Sequence, residues 1–218
     1  THYVARNMTV IVTGDFEPST ALGWVEKHFG SMADTEPAAR IAPGTPDNLG
    51  PAEQVMENPE NALTNVQLTV SAPWQSRPDT TKQRIEELPL QLACAMLNQR
   101  LSRMARVEDC AFQGAAVSTE ELFQTAELFN MGVTAAPEKW QQAMEAALLE
   151  LRRACRYGFA PAELNEIAAQ VRASYKKQIN SWETTNAADM ADNLIASISG
   201  NEQMTTPAED LRVFELGL

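Results

Sequence analysis

The chain has 218 residues, with 17 Lys+Arg against 29 Asp+Glu, a formal net charge of −12. That acidic surplus excludes a nucleic-acid binder, because phosphate contact needs clustered cations. No apolar run approaches the roughly 20 residues of a membrane span, and three scattered cysteines make neither a disulfide scaffold nor a zinc knuckle.

The length is enough for a real hydrophobic core. No basic segment followed by an apolar stretch opens the chain, so no signal peptide is read. Thr1 stands first, just ahead of a strand-like run, so the chain reads as a fragment of a longer one.

Residues 8–14 (MTVIVTG) are apolar and β-branched and predict a buried strand. A helix follows from Pro18, with Ala21, Leu22, Val25 and Phe29 on one face. Gly30 stands where a left-handed terminator is wanted. Residues 31–51 read as an exposed connection, and 53–57 as a short strand. Residues 65–72 alternate with Val66, Leu68 and Val70 on one side, a strand with one solvated face that Pro73 closes. A helical region opens at residues 78–80, and Pro89 predicts a break in it. Its stripe is Leu92, Met96, Leu97, Leu101 and Met104, which reads as core.

Two further strands are expected over 112–119 and 124–134, joined in a hairpin through residues 118–121. The remainder is helical. One helix spans 137–156, with Trp140, Met144, Ala147, Leu148 and Leu151 on one side, and ends at Tyr157-Gly158-Phe159. The next starts at Pro161, with the stripe Leu164, Ile167, Ala168, Val171 and Tyr175. A third covers 188–198 and stops at Gly200. A last one begins near Pro207, where Glu209 sits at the acidic third position of a capped start. Hairpin strands and single-stripe helices together predict an α+β, two-layer domain: a mostly antiparallel sheet covered on one face by helices. No repeat or linker divides it, so residues 1–218 read as one domain.

The residues assemble no reaction centre. The two histidines leave little material for metal or acid–base chemistry. His2 is terminal. His28 has Glu26 two residues before it, the wrong spacing for a shared helical face, and neither H-e-x-x-h zinc motif nor its inverse occurs. His28 reads as an exposed residue in the last turn of a helix. Cys94 reads as a small buried hydrophobe. Cys155 lies near Arg153 and Arg156, a setting that favours thiolate, without a catalytic motif around it. Gly14-Asp15 lacks the glycines and lysine of a phosphate loop. Glu120-Glu121 reads as a solvated turn tip. The expected set of catalytic, cofactor-binding and metal-ligating residues is therefore empty.

The run Tyr3 to Phe16 (YVARNMTVIVTGDF), followed by Phe29-Gly30, resembles the opening of the second, non-catalytic type of domain in the insulinase/pitrilysin zinc metallopeptidases, the inverzincins. Met96-Leu97-Asn98-Gln99-Arg100-Leu101 is similar to that family's helix ending in an Arg-Leu pair. Tyr157-Gly158-Phe159 with Glu163-Leu164 resembles its Gly-Phe … Glu-Leu helix junction. The matches keep their order over nearly the whole chain.

The resemblance implies a non-catalytic support and substrate-chamber domain of a peptide-cleaving metallopeptidase. Zinc would sit in the neighbouring catalytic domain of the parent, and none in this fragment. The implied partners are that catalytic domain, in the same chain or a partner subunit, and a peptide substrate. Some relatives supply an Arg and a Tyr that steady the oxyanion. Here Arg106 is followed six residues later by Phe112, one position short and without the phenol, which argues against such a donation. The acidic surplus would favour basic peptides by long-range attraction. The alternative is a scaffold or regulatory subunit whose parent has no zinc site. A third reading, an unrelated α+β binding module, would be favoured by a sheet lacking the hairpin after the long helix. The missing partner should leave an apolar face uncovered.

Overall fold

The computed structural model describes residues 3–39, 44, 50–56 and 60–218. Their regular elements are α1 (Pro18–Phe29), β1 (Thr64–Pro73), α2 (Thr81–Met104), β2 (Gly114–Leu122), β3 (Ala126–Ala135), α3 (Trp140–Tyr157), α4 (Pro161–Ser181), α5 (Ala187–Gly200) and α6 (Pro207–Gly217). The chain forms two compact units. One comprises Thr1–Ala42, Pro78–Thr80 and Tyr175–Arg212; the other comprises Pro43–Arg77, Thr81–Ser174 and Val213–Leu218.

The second unit holds the sheet, and it is the expected α+β arrangement. The strand order is β1-β3-β2, antiparallel throughout. Val66↔Val133↔Ala115 and Leu68↔Met131↔Val117 fix the register across the three strands. Because side chains alternate along a strand, these rows share one face. Helices α2 and α3 pack on the sheet, α2 against β2 and α3 against β3 and β1. The core is built from Leu97 and Leu101 of α2, Phe112, Val117, Met131, Val133 and Ala135 of the sheet region, and Ala143, Ala147 and Ala154 of α3. Ala135, Ala143 and Ala147 are fully buried, so small side chains let α3 lie close on the strands.

Several expectations change. The hairpin exists, but its turn is not at residues 118–121. Glu120 and Glu121 belong to β2, and the chain reverses at Phe123 and Gln124, which take φ of 49° and 56°. Tight hairpins favour positive φ because it matches strand twist; a phenylalanine there gives no turn signal in sequence. Pro89 does not break α2, which runs unbroken past it. Proline in a helix interior costs about 3 kcal/mol. Burial of Leu88, Leu92, Met96, Leu97 and Leu101 along the same helix, worth about 1.5–3 kcal/mol each, outweighs that. In α3 the most buried stripe is Ala143, Ala147, Glu150 and Ala154, while Met144, Leu148 and Leu151 flank it and Trp140 is exposed.

The first unit departs furthest. Residues 8–14 form no strand, and Met8, Val10 and Val12 are exposed rather than buried. A strand needs a partner for its backbone groups, and the described residues offer none here. Helix α1 starts at Pro18 as expected, but only Ala21 of its stripe is buried; Leu22 and Phe29 face solvent. Gly30 is right-handed, not left-handed. Glycine is needed there for closeness, since a Cβ would collide with the Glu26 carbonyl oxygen. Residues 53–56 form no strand, and Glu57 lies outside the described residues. So do His2 and much of the expected connection, residues 40–43 and 45–49. Two helix starts are capped by their own side chains. Asn186 accepts the Asp189 N–H at the start of α5. At α6, Thr206 and Glu209 cap each other reciprocally, with the Thr206 N–H donating to Glu209 and the Glu209 N–H to Thr206 Oγ1.

Candidate functional site

The two helical motifs quoted above, whose Arg100 and Glu163 stand 63 residues apart in the chain, meet in space around one guanidinium. Arg100 of α2 donates through Nε to Glu163 Oε1 at 2.5 Å and through Nη2 to Glu163 Oε2 at 2.7 Å. It also reaches Glu150 Oε1 of α3 at 3.1 Å and the Gly158 carbonyl at 3.2 Å. Its planar head lies 4.6 Å from the centre of the Phe159 ring.

Each partner has a local reason for its position. Gly158 ends α3 with φ 70° and ψ −152°, a conformation that glycine reaches without strain. The reversal puts Phe159 beneath Arg100 and starts α4 at Pro161. Glu163 stands at the third residue of α4, and its carboxylate also accepts the Ala160 N–H at 2.8 Å, closing the helix start. Glu150 lies on the buried stripe of α3 and is shared with Arg153 at 3.4 Å.

The electrostatics follow from this geometry. The paired Arg100 holds the Glu163 carboxyl down at about 2, with the Ala160 N–H adding to the effect. Glu163 in turn raises the Arg100 guanidinium, and Glu150 helps. The side chains of Arg100, Glu150 and Glu163 are 22%, 10% and 16% exposed, so the charges are largely withdrawn from water and matched to one another. One turn further along, Gln99 and Arg103 of α2 both donate to Glu166 of α4 at 2.6 Å. The cluster borders an open depression lined by Arg153, Tyr157 and Ala160 as well. Chemically this is a brace. A guanidinium engaged on three acceptors and an aromatic ring is poorly placed to polarise a substrate.

Asn98, two residues before Arg100, does a second job. Its Oδ1 accepts the Val117 N–H at 2.7 Å and its Nδ2 donates to the Val117 carbonyl at 2.9 Å. β2 is an outer strand of the sheet, and the amide satisfies both backbone groups of Val117 as a neighbouring strand would. Sequence reasoning quoted Asn98 only inside a motif, with no role of its own, and missed Glu150. The only signal for either is a polar residue within a helical apolar stripe.

The other face of the sheet is uncharged along three of its rows: Asn65–Thr134–Gly114, Gln67–Gly132–Ala116 and Thr69–Asn130–Ser118. Gln67 donates to Asn130 and Thr69, Thr69 to Asn130, and Thr134 to Asn65, at 2.7–3.0 Å.

The remaining candidates stay apart. Phe112 is buried in the core, while Arg106 lies exposed in the turn after α2. His28 is exposed in the last turn of α1. Cys94 packs at the edge of the core, where burial pushes its thiol up, and Cys155 is exposed. Asp15 is exposed beside Gly14. Among the described residues, no three His, Cys, Asp or Glu side chains gather as a metal site, so these donors do not fit a zinc ion. No described helix is long and apolar enough to cross a membrane.

Residues 1–171 match the family described as the peptidase M16 inactive domain. The probable zinc protease PqqL of Escherichia coli (strain K12) is 22% identical over 209 residues, 95% of this chain and 22% of that protein. The chain thus spans about a fifth of the length of that curated relative. The crystal structure of the first half of the periplasmic protease PqqL from Escherichia coli shares the fold, with a TM-score of 0.82 and 17% identity over 93% of this chain and 43% of that one. A predicted insulinase family protease from Yersinia pestis gives a TM-score of 0.75 at 13% identity, with the same coverage of each chain. With a match over most of its length and the fold shared over nearly all of it, the chain belongs to the peptidase M16 inactive-domain family, a part of the insulinase-like proteases.

Proposed function

We propose that this chain is the non-catalytic support and chamber-lining domain of a zinc-dependent peptidase that cleaves peptides. The brace carries the reading. The charged residues of its two helical motifs, Arg100 and Glu163, are engaged on each other, Arg100 also holds Glu150, and together they tie α2, α3 and α4. Such residues hold a framework rather than act on a substrate. The uncharged amide and hydroxyl face of the sheet is the surface we assign to the chamber wall, where it would meet extended peptides through neutral hydrogen bonds. Zinc and its activated water would be supplied by the neighbouring catalytic domain of the parent.

The test is a comparison of the purified chain with its full-length parent on a panel of unfolded peptides, with metal content measured on both. The expected result is cleavage and one equivalent of zinc in the parent, and neither in the chain alone. A parent without zinc and without cleavage would replace this reading by a scaffold or regulatory subunit. Turnover by the chain alone would end it.

A further inference from the structure

Residues 8–14 have a strand's composition and lack a strand's bonds. Among the described residues, no backbone N–H or C=O of residues 9–13 has a backbone partner. Met8, Val10 and Val12 are 39%, 41% and 48% exposed, whereas Ile11 and Thr13 between and after them are half-buried. Thr9 is exposed as well, and from Val10 to Thr13 the alternation is the period of a strand with one side already seated. The segment is also anchored: the Thr13 hydroxyl donates to the Ala187 carbonyl at 2.7 Å, and Met8 has extended dihedrals.

A run of unpaired backbone groups between exposed valines asks for a particular partner. An apolar pocket would take Val10 and Val12 but leave the backbone groups desolvated and unpaired, at a cost of at least about 1 kcal/mol each. The edge of a sheet satisfies both. Thr9-Val10-Ile11-Val12-Thr13 reads the same in both directions, so a second copy could also pair with it antiparallel about Ile11. That would make only a two-stranded ribbon, which is marginal in water. Joining an existing sheet is the more stable course. More than three-quarters of the matched relative lies outside the region this chain covers.

We propose that residues 8–14 are a donated strand, which pairs through the backbone of residues 9–13 with the edge of a β-sheet in the remainder of the parent polypeptide. This rests on reading the chain as one domain of a larger protein, and it assigns the segment that joins them.

Amide hydrogen exchange followed by mass spectrometry tests it, on the full-length parent and on the isolated chain across a dilution series. The expected result is that the amides of residues 9–13 exchange at least about 100-fold more slowly in the parent than in the dilute isolated chain. Equal, fast exchange in both overturns the proposal. Protection in the isolated chain that rises with concentration to the parent's level assigns the strand to a second copy, and protection there at every dilution assigns it to a partner within this chain; either overturns it. Peptide cleavage is scored separately. A parent that protects these amides but cleaves nothing keeps the strand and loses the peptidase reading.

Discussion

The two units of this chain are built from similar sequence material and reach different ends. The sheet unit buries Leu101, Phe112, Met131, Ala135, Ala143 and Ala147 almost completely. In the unit formed by Thr1–Ala42, Pro78–Thr80 and Tyr175–Arg212, Val4, Ala21 and Pro207 are the buried residues among those described. Leu22, Trp24, Phe29, Ile195 and Ile198 there remain exposed. The difference is one of partners rather than propensity. β1 has β3 beside it, whereas residues 8–14, also rich in β-branched side chains, pair with no strand among the described residues. Apolar patterning says which face wants burial; it does not say that the chain in hand provides the other side.

The sharpest way to break the comparison is to remove the brace. Arg100→Ala takes the bidentate partner from Glu163 and leaves Glu150 with Arg153 alone. Because the three side chains keep 10–22% exposure, the expected loss is about 3 kcal/mol, the low end for a buried pair stripped of one partner. It is read as a lowered urea midpoint with an unchanged slope. Arg100→Lys should recover only part, since an ammonium cannot grip Glu163 with two parallel bonds. A midpoint within experimental error of the parent sequence would show that the sheet unit stands on its apolar core alone.

A smaller effect comes from acid. The Glu163 carboxyl is depressed from an ordinary value of 4.5 to about 2. A group whose folded value lies below its unfolded one contributes stability that is complete above 4.5 and is lost as pH falls towards 2. Denaturation between pH 5 and pH 2 should therefore lose stability less steeply in Glu163→Gln than in the unaltered chain. Parallel pH profiles would mean that the pair is no stronger in the folded state than in the unfolded one.

Much of the sheet unit was legible because its signals are local. Alternation at Val66, Leu68 and Val70 marks β1, the Leu92-to-Leu101 stripe marks α2, and Gly158 with Pro161 marks the joint between α3 and α4. What was not legible depends on distant neighbours. Pro89 looks like a breaker until the burial on both sides of it is counted. Phe123 carries no turn signal. The union of Arg100 with Glu163 spans 63 residues, and no spacing rule reaches so far; the resemblance flagged both motifs without saying that they touch. The vacant set of catalytic and metal residues was an expectation drawn from the two histidines, and it stays a proposal for the metal analysis to test.

The smallest expected effect lies in the other unit and sharpens the comparison from its weak side. Val12→Ser replaces a β-branched apolar residue, which in a buried strand would cost several kcal/mol. Here Val12 is 48% exposed and its backbone has no backbone partner among the described residues. Its change should shift the stability of the isolated chain by no more than about 0.5 kcal/mol, as for a surface substitution. The same measurement on Val133→Ser, buried at the centre of the sheet, provides the contrast: there a hydroxyl without a partner replaces core packing. If the two substitutions cost the same, residues 8–14 are packed in solution as firmly as β3, and the two units do not differ in the way their burial says they do.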